Sequence, residues 1–153
     1  MGRHEPIGRH WAAAARLMLA GCARVVLDGT VQKVRVYAVD ANSTVVLIDF
    51  RATPRSLFMI GDTAVEVETK DGKTVEGVIA AEVDIDRFLD ANPLQGRRYN
   101  PTLHRSEKLA KDQPVDRMIA ANLPLPLAEV EKRKALRIKV TEVDGPVSLI
   151  ETK

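Results

Sequence analysis

The sequence predicts an α+β domain, a small and mostly antiparallel β-barrel or sandwich of five to eight strands. Three observations carry this. Apolar and polar residues alternate with period two in short runs between residues 31 and 83, the pattern of half-buried strands. Turn pairs and clusters, Asp28-Gly29, Asp40-Ala41-Asn42-Ser43 and Asp71-Gly72, separate those runs. Helical spacing is confined to brief stretches at the start, near residue 88 and after Pro126. A chain of 153 residues suits a single domain with its own core.

Residues 1–22 open the chain with a helix over 10–20, HWAAAARLMLA, built from strong helix formers. Trp11, Ala15, Met18 and Leu19 share one face, Arg16 falls off it, and Gly21 supplies a C-cap. So short a helix is marginal alone and must pack on something. Leu19-Ala20-Gly21-Cys22 has the form of a lipobox. Arg16 interrupts the apolar stretch before it, so the run reads as helix and not as a lipid anchor. The expected location is cytoplasmic or within a particle.

Residues 23–91 form the β-rich body. Between Val31 and Asp40, Lys33 and Arg35 share a face with Tyr37, while Val34, Val36 and Ala38 take the other. Thr44–Phe50 is nearly all apolar and reads as a central strand closing a hairpin. Ser56–Ile60 reads as a further strand ended by Gly61-Asp62. Ala64–Thr69 and Thr74–Val83 pair across Asp71-Gly72, with Gly77 marking a bulge or bend. Asp84–Ala91 reads as a short helix capped by Asp84, burying Ile85, Phe88 and Leu89 and ending before Pro93.

Residues 92–126 read as an extended arm. They hold five of the chain's eight prolines, and only Asp116–Ala121 hints at a helical turn. So long an irregular stretch points to a functional arm. Residues 127–153 return to order. Pro126 opens a helix to about residue 135, with acidic residues early and basic residues late. Leu136–Val140 and Val147–Ile150 then flank the Asp144-Gly145-Pro146 turn as a hairpin that rejoins the main sheet.

Composition removes several functions. One cysteine, Cys22, allows neither an internal disulfide nor an all-cysteine zinc site, and His4, His10 and His104 have no metal-ligand spacing. Gly72-Lys73-Thr74 lacks the upstream glycine of a phosphate loop, since position 67 is valine, and it sits in a hairpin turn. Asp84, Asp86 and Asp90 could attract a divalent cation, but serve a helix start equally well. No Gly-x-Ser-x-Gly elbow occurs. No catalytic residue, metal or cofactor is assigned.

Charge is distributed unevenly about a net of +2. Residues 1–24 carry +3, residues 25–94 carry −5 and residues 95–111 carry +4. The candidate binding residues are therefore Arg97, Arg98, Tyr99, Arg105, Lys108 and Lys111. A basic arm would be drawn to an acidic body on the next subunit. The expected function is a non-enzymatic structural subunit of a large assembly, by analogy of layout a capsid, neck or tail component of a virion. It would associate as a homo-oligomer or with other protein subunits. The first alternative is a nucleic-acid-binding barrel of a ribonucleoprotein, in which the arm holds phosphates and Tyr99 stacks a base. Aromatic residues at only 4% count against it. The second is a small oligomeric enzyme with an inter-subunit site.

Overall fold

Strand alternation decides which faces meet. The computed structural model describes residues 26–93, 98–143 and 145–152. The chain runs β1 (Leu27–Asp40), β2 (Ser43–Pro54), β3 (Phe58–Glu68), β4 (Thr74–Glu76), β5 (Val78–Ile79), α1 (Glu82–Ala91), β6 (Lys108–Leu109), β7 (Val115–Leu123), α2 (Leu127–Glu131), β8 (Ala135–Glu142) and β9 (Val147–Thr152). One sheet has the order β1-β2-β7-β5; the other has β4-β3-β8-β9, with β6 also on β3. Every pairing of these strands is antiparallel.

The sheets stack as a sandwich, and no closed barrel forms among the described residues. Val46, Ile48, Phe50 and Ala52 of β2 lie every second residue and so face one way. They join Ile119, Ala121 and Leu123 of β7 and meet Val65, Val67, Leu136, Ile138 and Val140 of the opposite sheet. The alternate residues Leu47, Met118 and Ala120 face outward and are buried by Ile85 and Leu89 of α1. A sheet covered on both sides explains the nearly continuous apolar run of β2.

Gly77 is the bend expected of it. β4 pairs with β3 in one sheet and β5 with β7 in the other, so the chain changes sheets at this residue. Its N–H donates to the Val65 carbonyl at 2.9 Å. A Cβ at Gly77 would stand 3.0 Å from the Asn122 carbonyl oxygen, so a side chain would force the strands apart. The Asp71-Gly72 hairpin also forms, with Gly72 at φ +90° and the Thr69 N–H bonded to Lys73 O at 2.8 Å.

Several expectations need correction. Residues 115–123 form β7, hydrogen-bonded between β2 and β5, where an arm with a helical turn was expected. Pairing on both sides overrides the helix-favouring Met118-Ile119-Ala120-Ala121 run. The strand after Pro54 does not stop at Gly61-Asp62; β3 continues to Glu68 with a register irregularity between Ile60 and Thr63. α1 starts at Glu82 with Ala81 as N-cap, so Asp84 lies in its first turn and caps nothing. α2 ends at Glu131 because β8 recruits the chain from Ala135. The hairpin β8–β9 joins the sheet through β3, as expected. The helix over 10–20 and Cys22 lie outside the described residues.

Candidate functional site: the covered face of the first sheet

Register lays the outer face of the first sheet out in rows. Lys33, Asp49 and Met118 form one row; Arg35, Leu47 and Ala120 the next; Tyr37, Val45, Asn122 and Val78 the third. The first rows carry charge and the last is apolar apart from Asn122, so the face divides into a polar half and a greasy half.

In the polar half, an Arg35 guanidinium nitrogen stands 3.6 Å from the Asp49 carboxylate and 3.7 Å from the Met118 sulfur. Asp49 is only 2% exposed. Neither of its oxygens makes a hydrogen bond of good geometry, so its partners act on it at longer range. Burial pushes its carboxyl above the usual carboxylate range; the Arg35 charge and then the Asn100 N–H pull it back. The Tyr99 ring closes over the pair, with Arg35 at 4.5 Å and Lys33 at 4.6 Å from its centroid. Lys33 Nζ also donates to the Tyr99 hydroxyl at 3.1 Å. That bond, with the Lys33 charge, holds the phenol below its ordinary range.

Tyr99 belongs to the segment expected to reach outward. Residues 98–109 instead fold back as a strap from the edge of β7 to the edge of β3. Arg98 donates to Asp86 of α1 at 2.6 Å and to Thr102. Leu103 N–H reaches Met118 O at 2.9 Å, and Met118 N–H reaches Pro101 O at 2.7 Å. Arg105 pairs with Asp62, Arg117 with Glu107, and the Ser106 N–H bonds Ile60 O at 2.7 Å. Lys108 opens β6 opposite Met59, and Lys111 is exposed in the following turn. Thus Arg98 and Tyr99 lie over the first sheet, Arg105 and Lys108 lie further along the strap, Lys111 lies in the turn beyond it, and Arg97 lies outside the described residues. Asp49, which breaks the apolar run of β2 opposite Lys33, was the sequence signal for this cluster.

The greasy half is open. α1 covers Leu47 and Ala120 but leaves a groove of about 360 Å³ beside it. Val39, Val45, Val78, Ile79 and Phe88 line it, with Asp84 and Asn122 as its polar groups. Val39 is 51% and Val78 74% exposed. Tyr37 packs against Phe88 at its side, ring centroids 5.6 Å apart. Among the described residues no group of three His, Cys, Asp or Glu side chains could hold a metal ion, and no helix is long and apolar enough to cross a membrane.

No family model and no curated protein matches the chain. Among solved structures, it is similar to the archaellum periplasmic stator protein FlaG from Sulfolobus acidocaldarius. Identity is 11%, the similarity covers 82% of this chain and 99% of that one, and the TM-score is 0.37. A likeness of that degree does not establish a common fold.

Proposed function

We propose that the chain is a non-enzymatic subunit of a larger protein assembly. The observation that carries this reading is the groove beside α1, where Val39 and Val78 stand exposed beside half-buried Val45, Ile79 and Phe88. Contiguous exposed apolar surface of this kind marks a protein contact. Of the buried charged residues Arg35, Asp49 and Glu66 none lines the groove, and Arg35 sits under Tyr99. A catalytic carboxylate needs access to substrate, so this separation supports a binding role. The basic segment supports it as well. Arg98, Arg105 and Arg117 are engaged by Asp86, Asp62 and Glu107, which leaves less free charge for phosphates than the sequence suggested. A particle wall, neck or tail is one setting for such a subunit.

The test is size-exclusion chromatography with light scattering on the full chain, with an absorbance ratio that detects nucleic acid. A nucleic-acid-free homo-oligomer is expected. A monomer carrying nucleic acid would overturn the proposal in favour of the ribonucleoprotein reading, and a clean monomer would remove self-assembly.

A further inference from the structure

The groove leaves part of the outer face beside α1 open. α1 is ten residues, about 15 Å long, and lies on only part of the outer face. Beside it Val78 and Asn122 are exposed while Tyr37 and Val45 are half-buried, and a second helix packs some 8–10 Å from the first. Its charged groups are acidic: Asp84 lines it and Asp40 follows Val39, while Glu82 and Asp86 of α1 are held by Arg98 on the strap side. The fitting occupant is therefore a short helix with an apolar face and basic flanks. Residues 10–20 of this chain have that chemistry: Trp11, Ala15, Met18 and Leu19 on one face, Arg9 and Arg16 off it, within a segment of net +3.

Reach decides which copy supplies it. Val26 accepts the Arg55 N–H at 2.8 Å, at the opposite end of β1 from Val39. From Leu27 to Val39 is twelve residues of strand, about 40 Å. Leu19 lies seven residues before Val26, about 25 Å at full extension. Within one chain, only a fully stretched linker would bring even the far end of the helix to the groove. We propose that residues 10–20 of a neighbouring copy seat in this groove beside α1, an exchange that joins subunits. This rests on the assembly reading above.

Two full-chain variants test it: Leu19→Glu in the segment and Val78→Asp in the groove, with Leu149→Asp on the other sheet as control. Dissociation of the oligomer should become about tenfold easier or more for the first two, as expected of anchors in an interface, and stay unchanged for the control. Unchanged thermal unfolding of the monomer establishes that each variant folds. A second measurement mixes differently tagged chains carrying Leu19→Cys and Val78→Cys, both with Cys22→Ser, and expects a disulfide joining one tag to the other. An oligomer that ignores both substitutions overturns this inference and leaves the assembly reading standing. A disulfide that forms only inside a chain carrying both cysteines overturns the exchange between copies. A monomeric native chain overturns both readings.

Discussion

On the outer face of the first sheet, Arg35, Leu47, Asp49 and Met118 lie beneath α1 and the strap that carries Tyr99. On the outer face of the second, Leu149 and Glu151 are exposed, Glu68, Arg137 and Lys139 are half-buried, and Glu66, at 8% exposed, is buried among them. There Arg137 bonds Glu68 at 2.9 Å and Glu151 at 2.6 Å, and Lys139 reaches Glu66 at 2.9 Å. The Glu68 and Glu151 hydrogen bonds hold the Arg137 guanidinium above its already high range. Both faces arise from the same period-two alternation. The difference lies in what covers them, and it reverses the meaning of an ion pair. Under cover, desolvation makes the pair costly to break on one side only. On the second face the pair of Arg137 with the exposed Glu151 contributes little and salt screens it.

The largest effect should come from breaking the covered pair. Arg35→Met leaves the Asp49 carboxylate buried without its nearest cation, which costs about 3–5 kcal/mol at neutral pH. Urea unfolding measures it. Replacing both partners, Arg35→Met with Asp49→Leu, should restore most of the loss. The pH dependence has a definite sign. The folded pKa of Asp49 is raised, so the folded state binds more protons than the unfolded one, and stability falls as pH rises through that window. Removing Arg35 takes away a downward pull, so the deficit should be greatest at neutral pH and shrink toward about pH 4. A deficit that grows on acidification would contradict the placement of this pair.

The same substitution on the two faces gives the next contrast. Leu47 is 1% exposed and Leu149 is 55% exposed. Leu47→Ala should cost about 2–5 kcal/mol through lost burial and a cavity under α1. Leu149→Ala should stay within about 0.5 kcal/mol. Equal losses would mean that the second face is also covered.

The second face was the more legible of the two in the sequence. Glu66, Glu68, Arg137 and Lys139 alternate with valine, leucine and isoleucine, and alternation is a local signal. So are the Asp71-Gly72 hairpin and the Gly77 bend. The covered face depends on pairings distant in sequence. β7 reads Val-Asp-Arg-Met-Ile-Ala-Ala-Asn-Leu, and its small residues make sense only once Leu47 on one side and Ile85 above are known. The charges of the strap looked like a solvated arm because their partners, Asp62 and Asp86, lie 43 and 12 residues away from Arg105 and Arg98. Spacing within the segment could not reveal them. Asp84 failed as a cap for a related reason: α1 is drawn one turn earlier by the β5 connection, where the Ala80 N–H bonds Ala120 O at 2.9 Å.

Tyr99→Ala sharpens the comparison at the edge of the cover. It removes the ring above Lys33 and Arg35 and opens one end of the strap. Amide hydrogen exchange should quicken several-fold at Leu103 and Met118, whose N–H groups hold the strap to β7, while the amides of β8 keep their protection. Tyr99→Phe keeps the ring and loses only the Lys33 hydrogen bond, so it should fall between the two. Uniform quickening across both sheets would show that the strap is part of the global core and not a separable cover.

The smallest effect belongs to the ion-pair lattice of the second face. Arg137 touches Glu66, Glu68 and Glu151, more carboxylates than any cation on the covered face meets. Counting contacts would rank it first. Water reverses that order: it solvates Glu151 and part of Glu68 when the cation is removed, and Lys139 stays on the buried Glu66 at 2.9 Å. Arg137→Ala should lower the unfolding midpoint far less than Leu47→Ala, and the difference from the native chain should close as salt is raised to roughly 1 M, where the Debye length is about 3 Å. The Arg35→Met deficit should persist at the same salt, since ions do not reach a buried carboxylate. A salt-insensitive loss at Arg137 would mean that something covers the second face in the assembled protein, and would move the search for a partner to β8 and β9.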